Sequence, residues 1–263
     1  MNTFQNMCCA LAAAVLCGQA VASSAEAKIS NIQWTVIDLT PDDGVVPTFD
    51  FQGAAGRTTG YVDNYYPYKE QLAGSEAFFW PMTLGNPNGI SHGFAKLSAT
   101  ELRADAAHVG GNGGWSTDVW TTTYTGEPIS QLTVAPHSAV HLTANGSLTV
   151  TRTNGDYVFS TFEARYYTTT VGEGYYSTES EGAIIQTLRT PGDDLSDTQM
   201  SQTNQIDFLI TNSSAQAMPV SFGFRTSSAV ITAVPEPRTI ALLLVGLAIV
   251  AGPRLRRVHH AQA

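Results

Sequence analysis

Hydrophobic and polar residues alternate along much of the chain with a period of two. Ile32, Trp34 and Val36 are separated by polar neighbours, which is the pattern of a half-buried β-strand. The phase reverses at Ile37 and Leu39, and this reversal predicts a β-bulge. Outside the two ends of the chain, no segment keeps the 3.6-residue period of an amphipathic helix. The pattern therefore predicts an all-β protein.

Turn-forming residues divide the remaining alternation into short strands. Asn145-Gly146 and Asn154-Gly155 each predict a hairpin, because both central residues of a type I′ turn need a positive φ. Residues 53–92 predict long loops around a short strand near 77–84, residues 191–203 a polar loop, and residues 227–233 a tether. The predicted strands cover residues 94–103, 115–124, 129–134, 139–144, 147–153, 157–167, 183–189, 205–211 and 220–225.

About ten short strands with turns every 8–12 residues are typical of an antiparallel β-sandwich of Greek-key or jelly-roll type. No internal repeat is visible, which disfavours propellers and solenoids. Residues 28–230 are the predicted extent of this domain. A domain of about 200 residues can bury enough surface to fold without disulfides or metals.

The first 27 residues predict a secretory signal peptide, with an apolar stretch at 8–16 followed by small residues. Two cleavage motifs of the A-x-A form are present. The first is Ala25-Glu26-Ala27, which we take as the expected site, and the alternative is Ala20-Val21-Ala22. All three cysteines lie in this segment, so a processed chain would contain no thiol or disulfide.

The final segment, residues 231–263, consists of three different pieces in order. Pro-Glu-Pro at 235–237 cannot be helical, because each proline fixes φ and lacks an N–H donor. The uncharged stretch 240–252 follows, and as a helix it reaches only about 20 Å, less than the roughly 30 Å of a hydrocarbon core. Flanking arginines can extend it by reaching to the interfaces, which predicts a short transmembrane helix at 239–253. The basic cluster Arg254, Arg256 and Arg257 then predicts a cytoplasmic C-terminus.

This arrangement resembles the PEP-CTERM sorting signal of Gram-negative bacteria. The residues that match are Pro235, Glu236 and Pro237, the apolar span and the three arginines, about a tenth of the chain. The resemblance implies that the protein is a substrate of an exosortase, a membrane cysteine transpeptidase. It also implies export through the inner membrane, a transient anchor there, and transfer to the cell surface or matrix, often alongside exopolysaccharide. An ordinary C-terminal anchor that keeps its helix is the alternative.

Charge narrows the set of partners. Between Lys28 and Ala233, 9 lysines and arginines stand against 20 aspartates and glutamates, a net charge of −11. Such a domain would repel polyanions, which argues against nucleic acid and anionic lipid as partners of the body. The same charge is compatible with solubility or with weak cation binding.

Candidate metal ligands are few. His137 and His141 have the i, i+4 spacing that would place two ligands on one face of a helix, but Pro136 and the surrounding alternation predict a strand, where they would be about 13 Å apart. Asp38, Asp42 and Asp43 form one acidic loop. The other acidic loop contains the weak calcium candidates Asp193, Asp194 and Asp197. Neither loop has the D-x-D-x-D-G spacing of a dedicated calcium site, so no metal and no cofactor are expected.

Catalytic motifs are also lacking from the sequence: neither G-x-S-x-G nor H-E-x-x-H occurs. Glu101, Glu127 and Glu163 could supply the paired carboxylates of a glycoside hydrolase, which makes an envelope hydrolase the less favoured alternative. The sequence predicts a non-catalytic body.

Carbohydrate binding is the other alternative for the body. The aromatic stretch 61–68 and the pair Trp115 and Trp120 could stack on sugar rings. Tyr65 and Trp115 are the residues whose loss would test an exopolysaccharide-binding module. Aromatic residues in a β-sandwich more often pack in the core, so the sequence alone does not choose between these roles.

Overall fold

The computed structural model describes residues 22–49, 55–65, 68–109, 113–123, 132–153, 155–172, 175–192 and 196–232. Within these ranges the chain forms thirteen strands and no helix, which confirms the all-β class. The strands are β1 (Ser23–Asp38), β2 (Ala55–Tyr65), β3 (Tyr68–Ala77), β4 (Met82–Gly85), β5 (His92–Ser98), β6 (Glu101–His108), β7 (Gly114–Thr123), β8 (Leu132–Val134), β9 (Ser138–Arg152), β10 (Tyr157–Gly172), β11 (Tyr175–Arg189), β12 (Thr198–Asn212) and β13 (Met218–Ile231).

Two antiparallel sheets pack face to face, as the sequence predicts for a β-sandwich. One has six strands in the order β12-β9-β1-β6-β5-β4, and the other has the order β11-β10-β13-β7-β2-β3, with β8 added beside β13. The core between them is closed by large side chains from both sheets. Ile29, Leu142 and Leu148 come from the first sheet, and Phe162, Phe222 and Phe224 come from the second.

Strand β1 lies inside the six-stranded sheet and pairs with β6 on one side and β9 on the other. It begins at Ser23, so five residues of the strand precede the expected domain boundary at Lys28. Ala25, Ala27 and Ile29 point into the core and are at most 2% exposed. Residues 23–27 therefore belong to the folded domain.

The bulge in β1 lies earlier than the sequence predicts. The register with β9 shifts between Ser30 and Gln33, and Asn31 has a φ of 55°, a conformation that asparagine tolerates better than most residues. Ile37 and Leu39 are 37% and 42% exposed. The prediction of a bulge at Ile37 is wrong, because these side chains face solvent instead of returning to the core.

The two Asn-Gly dipeptides do not make hairpins. Asn145-Gly146 lies in the middle of β9, which runs unbroken and pairs with β1 and β12 on its two sides. Gly155 does form a turn, with a φ of 76°, but the turn joins β9 to β10 in the opposite sheet. The hairpin predictions are wrong. Asn145-Gly146 is paired on both sides within its sheet, and the turn at Gly155 connects strands of two different sheets.

Several predicted strand boundaries also change. Residues 53–92 contain β2, β3 and β4 instead of mainly loops, and residues 94–103 are divided between β5 and β6 by a turn at Ala99 and Thr100. The predicted loop at 191–203 contains the start of β12, and the predicted tether at 227–233 contains the end of β13. Ala229 and Val230 in that stretch are buried, and the Thr232 amide donates to the Gly113 carbonyl oxygen at 2.9 Å, so residues 227–232 belong to the folded body.

Arg152, the last residue of β9, is only 2% exposed. Its guanidinium donates to the Ser196 carbonyl oxygen at 2.9 Å, to the Pro191 carbonyl oxygen at 2.6 Å and to the Thr198 hydroxyl at 3.4 Å. It therefore holds both ends of the connection between β11 and β12 against the end of β9.

Replacing Arg152 with methionine is expected to lower the free energy of unfolding by about 2–4 kcal/mol, because the three hydrogen bonds that a buried charged donor makes to the connection between β11 and β12 are lost. Thermal and denaturant unfolding followed by circular dichroism would measure the change. Arg189→Met, at an exposed arginine on β11, is the matched control and should change stability by less than about 0.5 kcal/mol. Equal stabilities for the two variants would contradict this role for Arg152.

Candidate functional site

A shallow groove crosses the outer face of the seven-stranded sheet, on the side away from the core. Its volume is about 320 Å³, at the small end of the range for ligand sites. Three neighbouring strands form it: β7, β13 and β10. The side chains and backbone that line it belong to Trp120, Thr121, Glu163, Arg165, Tyr167, Gly223, Phe224 and Arg225.

The strand register determines which of these residues are neighbours. Arg225 on β13 lies between Trp120 on β7 and Glu163 on β10. Two residues along β13, Gly223 lies opposite Arg165. Since alternate residues of a strand point to the same face, the lack of a side chain at Gly223 leaves a depression between larger neighbours.

Both arginines of the groove are held by carboxylates. Arg225 donates from Nε and Nη2 to Oδ1 of Asp118, at 3.1 and 2.9 Å. Arg165 forms an ion pair with Glu163 through Nε, and its Nη1 donates to the Tyr167 hydroxyl at 3.3 Å. Two cations and two anions thus balance at this surface, and the pairing orients each guanidinium.

The structure separates the two tryptophans that the sequence groups together. Trp115 and Trp120 are five residues apart on β7, and an odd separation puts two strand residues on opposite faces. Trp115 packs against the core, where a Cβ atom at Gly93 would lie 2.9 Å from its Cε3 atom. Trp120 lines the groove. The five-residue separation of the two tryptophans could have shown from the sequence that they lie on opposite faces. Arg165 and Arg225 could not be found in this way, because they reach the groove only through the pairing of β13 with β10 and β7.

Trp115 is therefore half-buried on the inner face of its sheet, where it lines a separate pocket of about 450 Å³, and it does not share the outer face with Trp120. The side chain of Tyr65, the second residue proposed for sugar stacking, lies outside the described part of the structure.

The two histidines with i, i+4 spacing are placed as the strand interpretation expects. His137 occupies a turn with a φ of 48°, and its amide donates to the Ser214 carbonyl oxygen at 3.1 Å. His141 is on β9, where Nε2 lies 2.8 Å from Oδ1 of Asp207 on β12. Neither ring has the helical placement that would bring them to one ion.

The first acidic loop uses its carboxylates to close a turn. Asp38 accepts the amide N–H of Thr40 at 2.8 Å, and Asp43 accepts the Thr40 hydroxyl and the Val45 amide, both at 2.7 Å. The hydroxyl and then the amide lower the pKa of the Asp43 carboxyl below its ordinary value. These oxygens serve local turn structure.

Of the second acidic loop, Asp193 and Asp194 lie outside the described residues, and Asp197 is exposed before β12. Across the described ranges, no group of three or more His, Cys, Asp and Glu side chains could hold a metal ion.

Two of the three candidate carboxylates for hydrolysis, Glu101 and Glu163, lie on different sheets. Glu101 is on the six-stranded sheet, where Lys96 and Lys28 lie 3.3 and 3.8 Å from it. Glu163 is on the other sheet, and Glu127 is not among the described residues.

A different carboxylate pair is bridged by Arg103. Its Nη2 lies 2.9 Å from Glu26 and 2.6 Å from Asp105. Burial raises the pKa of the Asp105 carboxyl, and hydrogen bonding to Arg103 opposes that shift. The guanidinium between the two carboxylates makes this cluster a cross-strand link from β1 to β6.

The remaining predicted site residues belong to the ends of the chain. Ala22 immediately precedes β1, while Ala25 and Ala27 are inside it; Ala20 lies outside the described residues. The described residues also do not include the sorting-signal residues Pro235, Glu236 and Pro237, the helix predicted at 239–253, or the basic cluster Arg254, Arg256 and Arg257. None of the described segments is a helix long and apolar enough to cross a membrane.

No protein-family model matches the chain, and no curated protein matches it. Its function is therefore inferred from its residues and their geometry.

Proposed function

We propose that this is an exported protein of the bacterial cell envelope or extracellular matrix, sorted by an exosortase through residues 231–263. The observation that carries the proposal is the order of Pro-Glu-Pro, an apolar span and an arginine cluster at the C-terminal end. An extended, stiff Pro-Glu-Pro segment suits the cleft of a transpeptidase, and Glu236 offers one charge for recognition. The chemistry belongs to that membrane enzyme, and this chain is its substrate.

The body serves as a non-catalytic β-sandwich of jelly-roll type. The nested connections support this type: β10 and β11 pair in one sheet, while β9 and β12, which flank them in sequence, pair in the other. Ion pairing supports a non-catalytic role, since Glu26 and Asp105 share Arg103. In an envelope hydrolase one of these two carboxylates would have to transfer a proton, which its ion pair with Arg103 opposes.

Export removes the leader after Ala22, at the alternative A-x-A motif. Cleavage after Ala27 would remove the part of β1 that contains the buried residues Ala25 and Ala27. Cleavage after Ala22 keeps the whole strand, and Ser23 becomes the first residue of the mature chain. The packing of β1 thus favours cleavage at Ala20-Val21-Ala22 over cleavage at Ala25-Glu26-Ala27.

Intact-mass measurement of the surface form tests the sorting proposal. In a strain with exosortase, the mass should correspond to a chain that begins at Ser23 and lacks residues 240–263. Replacing Pro235, Glu236 and Pro237 with alanine should leave the C-terminal segment attached and the protein in the inner membrane. The unaltered protein in a strain without exosortase is the control, and it should behave like the triple variant. A surface form that keeps residues 240–263 would show an ordinary anchor instead.

A further inference from the structure

We propose that the groove around Trp120 binds a polysaccharide of uncharged sugars. This inference goes beyond sorting and does not depend on it, since the groove lies on the folded body. It assigns Trp120 as the stacking residue, and Glu163, Arg165 and Arg225 as the groups that bind sugar hydroxyls. Tyr167 forms part of the wall and positions Arg165.

The chemical composition of the groove fits a sugar better than an apolar ligand. A sugar ring has an apolar C–H surface, which an indole can cover, and a rim of hydroxyls that both donate and accept hydrogen bonds. The groove combines one indole, two guanidinium donors and one carboxylate acceptor: Trp120, Arg225 and Glu163 form one cross-strand row, and Arg165 lies in the next row on the same face. Charged partners form stronger hydrogen bonds than neutral ones, which helps them compete with water for hydroxyls.

The shape of the groove fits a polymer. It is a shallow depression on a sheet face and not a closed pocket, with its floor at Gly223 and the backbone of Thr121 and Phe224. An open site of this kind lets a chain continue past both ends, whereas a site for a small molecule normally buries most of its ligand.

Charge balance argues that the sugars are uncharged. Arg225 is paired with Asp118 and Arg165 with Glu163, so the four charges sum to zero. A polyanion would have to break these pairs or bind without a net attraction, and the body as a whole carries a negative charge. A neutral glycan needs no charge compensation and should bind almost independently of salt.

The experiment measures binding of the full-length protein, purified in detergent, to immobilised polysaccharides. The probes are neutral polymers (a glucan, a galactan and a mannan) and one uronate polymer, each at low and high salt. The variants are Trp120→Ala, Glu163→Gln and the matched control Trp80→Ala. Trp80 is 40% exposed on the turn before β4 and lies outside the groove. Melting temperatures of all variants show whether each one folds.

We expect at least one neutral polymer to bind with little salt dependence. Trp120→Ala should weaken that binding by about tenfold or more, as for a central aromatic contact, and Glu163→Gln by a smaller factor, while Trp80→Ala leaves it unchanged. Glu163→Gln keeps the shape of the side chain, so its effect does not rest on a fold defect.

Three results would overturn the inference. The first is no binding to any polymer, and the second is equal weakening by Trp120→Ala and Trp80→Ala. The third is binding to the uronate polymer alone that disappears at high salt, which would assign the surface to an acidic glycan. None of these results would bear on exosortase sorting, because mass and location test that separately.

Discussion

A chain that begins at Lys28 is expected to be less stable than one that begins at Ser23 by about 5 kcal/mol or more. The shorter chain lacks residues 23–27, which pair with two neighbouring strands. Ala25 faces Ala106 on β6 and Val150 on β9, and the next inward position, Ala27, faces Ala104 and Leu148. Their loss opens a gap in the middle of the six-stranded sheet, because β6 and β9 are not bonded to each other.

Side-chain contacts at the first residue add to this loss. Ser23 is fully buried. Its hydroxyl donates to the Thr153 carbonyl oxygen at 3.0 Å and accepts the Thr153 amide N–H at 2.9 Å. Without Ser23 the end of β9 loses both hydrogen bonds. Since whole domains are stable by only about 5–15 kcal/mol, the shorter chain should be partly or wholly unfolded.

Thermal unfolding of two purified chains, running from Ser23 or from Lys28 to Ala263, measures the difference. A third chain that begins at Ala22 serves as the control and should match the chain from Ser23. N-terminal sequencing of the exported protein gives an independent result, and Ser23 is the residue expected. Equal melting temperatures for the Ser23 and Lys28 chains would remove the structural reason for preferring cleavage after Ala22.

Gly146→Val is expected to destabilise the body by at least about 3 kcal/mol, and Gly146→Ala by about 1–3 kcal/mol. Gly146 on β9 lies under the ring of Phe162 on β10 of the opposite sheet. A Cβ atom there would lie 2.3 Å from Cζ of that ring, and 2.5 and 2.6 Å from its two Cε atoms. The ring is fully buried, so it cannot move aside without disturbing the core.

Denaturant unfolding of the alanine and valine variants measures this effect, with Gly192→Ala as the control. Gly192 has open space around its Cβ position, so the control should change stability by less than about 0.5 kcal/mol. Phe162→Leu provides a second check, because a smaller side chain leaves room for the new methyl group. Gly146→Ala should therefore cost less in the Phe162→Leu background. If the cost is the same in both backgrounds, the close packing of Gly146 and Phe162 is not its cause.

Local sequence patterns were sufficient for the fold class but not for the pairing. Alternation from Ile32 to Val36 predicts a strand, because a half-buried strand alternates polar and apolar side chains, and β1 contains this stretch. Asn145-Gly146 shows the limit of local patterns. The same dipeptide suits a hairpin turn, and it also suits a strand position where the ring of a facing residue leaves no room for a side chain. Which of the two occurs depends on Phe162, sixteen residues further along the chain and in the other sheet.

The candidate site was predictable only in part. Trp120 was among the aromatic residues proposed for sugar stacking, and its odd separation from Trp115 on one strand could have placed the two on opposite faces. Arg165 and Arg225 carry no local signal. They reach the groove because β10, β13 and β7 are adjacent, and adjacency between distant segments depends on long-range pairing that no short stretch of sequence specifies.

Alternation, proline stiffness, apolar length and arginine placement are properties of local segments. The all-β class and the order of features that predicts a destination can therefore be read from the amino-acid sequence. The packing of residues 23–27 in β1 and the meeting of distant side chains on the outer face depend on tertiary contacts. Burial of Ala25 and Ala27 and the register around Gly223 show this dependence. Both result from contacts between strands far apart in the chain, and such contacts form only when the two sheets close on a common core.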